Sequence, residues 1–316
     1  MRRLVRALVA VTLAAAALAT AAVALSWAPD VPVESLTARW APPPSTFVEV
    51  EGLRVHLRDE GPRDDPLPIV LLHGTSASLH TWDGWAAALR GQRRVIRFDL
   101  PGFGLTGPNT TGDYREASYA RFVLAVLDAL SVRRCVLGGN SLGGEIAWRT
   151  ALAAPERVAS LILVDAAGYA FVPRSIPIGF RLARTPVLNR LVENTLPRAL
   201  VAASVRNVYG DPARVNDELI DLYQAMTLRA GNRRALVQRL AQLDGGASQA
   251  LIATIRQPTL ILWGGRDRLI PPENALRFAR DIAGSRLEVF DALGHVPHEE
   301  DPMRTVEAVQ RFVGLR

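Results

Sequence analysis

Five short, predominantly apolar runs constrain this 316-residue chain more than any other feature: residues 68–72, 94–98, 135–137, 160–165 and 258–263. Each is too short for a core helix, and most lack the in-out alternation of a half-exposed strand, so they read as strands buried on both faces. Segments of helical period separate them at 82–89, 119–130 and 142–154. In the second of these Phe122, Val123, Val126, Leu127 and Leu130 share one face. Strand and helix in alternation imply parallel neighbours joined by right-handed crossovers, hence an α/β domain with a doubly wound, mostly parallel sheet. Two alternating runs, 47–50 and 53–58, joined at Glu51-Gly52, add a hairpin at its start. A last strand is expected over 287–290, between helices at 272–282 and 303–313.

The period changes between 167 and 250. Strand-like runs give way to proline-punctuated helical segments at 182–191, 197–208, 217–228 and 233–243. An excursion of that length does not stay a loop in a compact domain. It reads as a helical cap dividing the α/β core into 47–166 and 251–316. Phe171, Ile176, Ile178, Phe180, Leu188, Leu191 and Tyr223 of this cap are candidates for core contacts or for an apolar pocket lining.

Polar groups gather where the strands end. Gly138-Gly139-Asn140-Ser141-Leu142-Gly143-Gly144 turns a strand into a helix, with glycines two residues either side of Ser141. Without β-carbons at 139 and 143, strand and helix can approach while the serine is held in a strained conformation. The N–H of Leu142 then lies in the first helical turn, free to meet a negative oxygen. After the strand at 68–72, His73-Gly74-Thr75-Ser76 leaves the N–H of Thr75 at the same rim. Asp267 follows the strand at 258–263, and His295 follows the one at 287–290. Serine, aspartate and histidine thus emerge on one edge, in that order.

All 37 basic side chains are arginine, which excludes lysine bases, Schiff bases and a Walker-type lysine. The net charge of +6 includes Arg2, Arg3 and Arg6, and the other arginines are scattered, which argues against nucleic-acid binding. Those three arginines lead into an apolar stretch from Ala7 to Ala28, long enough to span a bilayer at ~1.5 Å per residue. Residues 1–28 read as a signal anchor or a cleaved signal, with Ala22-Val23-Ala24 or Ala19-Thr20-Ala21 as cleavage sites. Either places the domain outside the cytoplasm, on the membrane or secreted. Residues 29–46, with Pro42-Pro43-Pro44, read as a tether, order beginning near Phe47. The single cysteine, Cys135, reads as a buried apolar side chain. The five histidines show no metal-ligand spacing, and no metal or organic cofactor is implied.

The elbow around Ser141, the His73-Gly74 turn, Gly265-Arg266-Asp267 and Gly294-His295, taken together over 47–313, resemble the α/β-hydrolase fold superfamily, in its capped, lipase-like and esterase-like bacterial branch. The resemblance implies Ser141 as nucleophile, His295 as general base, Asp267 as the acid that orients it, and the N–H groups of Thr75 and Leu142 as the oxyanion hole. An imidazole near its ordinary pKa of ~6.5 can take the serine proton near neutral pH, and a buried carboxylate stabilises the imidazolium. Asp165, after the strand at 160–165, is the rival acid. His298 is the rival base, though Pro297-His298-Glu299-Glu300 looks like a surface or helix-start segment. His73 reads as a loop brace, and Asp99 as a partner for N–H groups of its own turn. The implied activity is hydrolysis of carboxylic esters of a small, lipophilic substrate. The elbow is also similar to that of meta-cleavage-product hydrolases, which cut carbon–carbon bonds, but Thr75-Ser76-Ala77-Ser78 departs from their Gly-Pro-Gly segment. A haloperoxidase-like side activity and a ligand sensor with little turnover are the remaining readings.

Overall fold

The computed structural model describes residues 2–185 and 188–315. Eight strands form one sheet: β1 (Thr46–Val50), β2 (Leu53–Glu60), β3 (Ile69–Leu72), β4 (Val95–Phe98), β5 (Cys135–Asn140), β6 (Val158–Val164), β7 (Thr259–Gly264) and β8 (Arg286–Phe290). Their order is β1-β2-β4-β3-β5-β6-β7-β8, with β2 antiparallel to both neighbours and every later pair parallel. The expected doubly wound sheet is what the chain builds.

Alternation within the buried strands supplies two apolar layers. Val70, Leu72, Ile261 and Trp263 face one side, and Ile69, Leu71, Leu260 and Leu262 face the other. Fully burying each such side chain contributes roughly 1.5–3 kcal/mol, so neither face tolerates a polar replacement. Before the sheet lie α1 (Arg2–Leu25) and α2 (Val33–Trp40). The crossover and flanking helices are α3 (Asp83–Leu89), α4 (Glu116–Ala129) and α5 (Leu142–Ala153). Between β6 and β7 run α6 (Ile178–Arg184), α7 (Leu188–Asn194), α8 (Arg198–Val208), α9 (Asp217–Leu228) and α10 (Asn232–Ala241). Then come α11 (Glu273–Asp281), α12 (Pro297–Glu300) and α13 (Pro302–Phe312).

Two expectations need correction. The stretch 29–46 is no free tether: it contains α2, and Leu36 is buried with Leu105 and Met226. Backbone bonds from Ala28 to Asn194 and from Val31 to Leu228 dock its start on the helical insertion, and Arg233 pairs with Asp30. Proline density hid this, because docking by backbone bonds and one leucine leaves no periodic trace. The helix expected over 182–191 is interrupted: Thr185 is extended, and residues 186 and 187 lie outside the described residues. The strand before the elbow also runs further than its apolar core, through Gly138 and Gly139 to Asn140.

α1 is 24 residues long, with a mean hydropathy of 2.4 over its most apolar window, none of which is buried.

Candidate active site

Ser141 joins β5 to α5 with φ 53° and ψ −116°. A serine in that region carries on the order of 1–3 kcal/mol of strain, so its surroundings must hold it there. They do so through the backbone. Its N–H donates to Val164 O (3.0 Å), and its carbonyl accepts from Glu145 N (3.1 Å) and Ala167 N (3.0 Å). A β-carbon on Gly139 would lie 2.2 Å from Gly143 O, and one on Gly143 would lie 2.2 Å from Leu72 O. The glycines therefore let α5 start directly against the ends of β3 and β5.

The same closeness brings a second loop to the serine. A β-carbon on Gly74 would sit 3.2 Å from Ser141 Cβ, so the loop after β3 abuts the serine. Among the described residues the Thr75 N–H has no hydrogen-bond partner, and α5 has no side-chain cap over its first turn, where Leu142 lies. The Thr75 N–H and the first turn of α5 thus lie next to Ser141, and a helix start favours negative charge.

His295 Nδ1 is 2.7 Å from Asp267 Oδ2, with both side chains buried. Asp267 Oδ1 accepts from Leu269 N (2.8 Å) and Ile270 N (2.9 Å), which fixes its plane. With the proton held on Nδ1, Nε2 carries the lone pair of a base. The histidine loop is anchored from several sides: His295 N donates to Val208 O (2.7 Å), Asn140 Nδ2 donates to His295 O (2.9 Å), and Gly294 N donates to Glu300 Oε2 (2.8 Å). Glu300 also accepts from Gly210 and Asp211 in the helical insertion. Asn140 and Glu300 went unread in the sequence, since nothing local links 140 to 295 or 300 to 210.

Ser141, Thr75 and His295 line one cavity of about 360 Å³. Its walls are chiefly apolar side chains of the insertion, Phe180, Leu182, Leu188, Val192, Leu196 and Leu200 among them, with Val23 and Ser26 from the end of α1 and its following turn. Of the lining candidates, Phe180, Leu188 and Tyr223 reach it. Phe171 instead packs on the main core, and Ile178 is 46% exposed.

The rival histidines and Asp99 lie elsewhere in the hydrogen-bond network, whereas Asp165, the rival acid, lies beside Asp267. His73 Nδ1 donates to Gly74 O (2.8 Å) and its Nε2 accepts from Leu100 N (2.9 Å), so both ring nitrogens brace the loop. Burial holds it below the ordinary histidine range. His298 starts α12 but is not on the surface. It is fully buried, its ring 4.0 Å from that of Trp82, with Nε2 3.0 Å from Thr81 Oγ1. Burial first, and His295 second, depress its pKa. Apolar stacking overrode the polar look of its neighbours. Asp99 bridges further than its own turn, accepting from Leu79 N and Leu105 N (2.7 Å each) and pairing with His56 Nδ1 (2.8 Å). The Cys135 thiol is pushed up to about 12 by burial. Asp165, Asp267 and His295 bring three potential metal-ligating atoms within 4.8 Å of one another. Asp267 is engaged with the His295 ring and with two backbone N–H donors.

A model of the alpha/beta hydrolase fold family matches residues 68–302. The chain is 31% identical to a 2-hydroxymuconate semialdehyde hydrolase of Pseudomonas sp. (strain CF600), over 83% of this chain and 91% of that one. A meta-cleavage product hydrolase from Pseudomonas fluorescens IP01 superposes with a TM-score of 0.73 at 27% identity, covering 85% of this chain and 97% of that one. A membrane phospholipase A, described as a bacterial virulence factor, superposes with a TM-score of 0.72 at 26% identity, covering 99% and 98%.

Proposed function

Because the chain belongs to the alpha/beta hydrolase fold family, we propose that this hydrolase cleaves carboxylic esters of lipophilic acyl chains through Ser141, His295 and Asp267. His295 Nε2 takes the Ser141 proton as Oγ attacks the ester carbonyl. The N–H groups of Thr75 and Leu142 receive the oxyanion, a pair in which each donor lowers the barrier by ~3–4 kcal/mol. The imidazolium returns its proton to the departing alcohol, and water activated by His295 then releases the acid from the acyl-enzyme.

The observation that carries the substrate class is the cavity itself. Its apolar walls suit an alkyl chain, and they include Val23 and Ser26 at the end of a helix apolar enough for a bilayer. With Arg2, Arg3 and Arg6 before that helix, the anchor would keep its amino terminus inside and the catalytic domain outside the cytoplasm. The mouth would then face the membrane surface, where amphiphilic esters reside. The likeness to the membrane phospholipase A extends over 99% of this chain and supports the same reading.

The relative acting on 2-hydroxymuconate semialdehyde favours a second reading, carbon–carbon bond hydrolysis on the same residues. One panel separates them: p-nitrophenyl esters of rising chain length and a long-chain lysophospholipid in detergent, beside a vinylogous diketone. Turnover of the esters, improving with chain length, is expected. Turnover of the diketone alone defeats the ester reading.

A further inference from the structure

Asp165 sits just beyond β6 with φ 43°, a left-handed conformation. The carboxyl is fully buried. Oδ1 accepts from Gly264 N at 2.9 Å, whereas Oδ2 has no hydrogen-bond partner among the described residues. A buried, unpaired carboxylate oxygen is costly, and a protonated one with an acceptor nearby is not. The candidate acceptor is Asp267, since a carboxylate oxygen of Asp165, one of Asp267 and a ring nitrogen of His295 all lie within 4.8 Å of one another.

Two buried carboxyls this close do not both ionise. Their hydrogen bonds decide which one keeps the proton. Asp267 accepts from Leu269 N, Ile270 N and His295 Nδ1, all of which favour its anion. Asp165 accepts from one N–H alone. We propose that Asp165 stays protonated and donates from Oδ2 to the remaining lone pair of Asp267 Oδ2, as a positioning residue behind His295. Burial first, and the charge of Asp267 second, push the Asp165 carboxyl well above the usual carboxylate range, with Glu300 adding to the same sense. The donated hydrogen bond fixes the Asp267 plane from below and tempers its pull on the imidazole proton.

This inference rests on the triad reading, so its test has one arm that needs no turnover. Difference infrared spectra of wild type against Asp165→Asn at neutral pH are expected to show a protonated-carboxyl C=O stretch in the wild type alone. Absence of that band overturns the proposal, whereas failure of the triad reading shows separately, as Ser141→Ala keeping full turnover. The kinetic arm uses a p-nitrophenyl ester. In Asp165→Asn the amide can still donate to Asp267 and accept from Gly264, so kcat/KM stays within about threefold of wild type. Asp165→Ala loses about tenfold or more, and the acid limb of its pH profile moves to higher pH by about half a unit, as Asp267 becomes a stronger partner for the imidazole. An Asn variant as inactive as Asp267→Asn overturns the proposal, since Asp165 would then serve as the ionised acid. Should Asp165→Ala fail to fold, the spectra and the Asn profile decide.

Discussion

The rim of the sheet and the roof above it are built by different forces. At the rim, Ser141, Asp267 and His295 are held by backbone hydrogen bonds and by glycines whose closest neighbours leave no room for a β-carbon. In the roof, α6, α8 and α10 begin without side-chain caps and meet the cavity mainly through alkyl side chains. Directional bonds fix an atom to a few tenths of an ångström, whereas apolar contacts fix only volume and can repack. On the proposed function, the difference gives precise chemistry to the rim and adjustable selection to the roof. The two meet at the histidine loop, where Glu300 and Val208 tie it to the end of α8 and Val296 packs in the roof's own apolar cluster, and at the Asp267 turn, where Arg268 O accepts from Arg174 N and Ser175 N.

The sharpest test of the rim is Ser141→Ala. Turnover is expected to fall by on the order of 10⁴–10⁶, with the urea midpoint unchanged, because alanine at φ 53° is strained much as serine is. A residual rate within tenfold of wild type would break the assignment of chemistry to the rim. Gly143→Ala comes next. Its β-carbon would lie 2.2 Å from Leu72 O, so α5 must shift, costing roughly 2–4 kcal/mol of stability by urea unfolding and most of the activity.

The roof should respond differently. Leu188→Trp fills part of the cavity, and kcat/KM for long acyl esters is expected to fall about three- to tenfold while that for acetate esters holds. An equal loss on both would show that the roof sets the catalytic geometry as well. The smallest effect concerns pH. His73 and His298 are buried and their pKa values depressed, so the folded chain binds fewer protons than the unfolded one. Their contribution to stability is complete above about pH 6.5 and is lost as the pH falls below it. Glu299, raised by burial, acts with the opposite sign, full below about pH 4.3 and lost as pH rises. His298→Phe, which keeps the stack on Trp82, should therefore flatten the fall in Tm on acidification.

Much of the rim was legible in the primary structure because its signals are local. A buried strand announces itself by an apolar run, and a tight turn by glycines at fixed offsets, so the doubly wound sheet and the positions of Ser141, Asp267 and His295 at strand ends are written in local pattern. What stayed hidden are contacts between distant segments. The buried place of His298 comes from Trp82, more than two hundred residues earlier, and the docking of 29–46 comes from carbonyls of Asn194 and Leu228. The break at Thr185 gave no cue beyond the proline that follows it.

The sequence by itself determined the alternation of buried strands with helices and the order of serine, aspartate and histidine, because hydrophobic period and turn chemistry act over a few residues. Only the tertiary structure decided how Asp165 lies against Asp267, and that the end of α1 forms part of the cavity wall. Those relations depend on the crossing of elements far apart in the chain, where burial and side-chain hydrogen bonding, not local pattern, choose the neighbour.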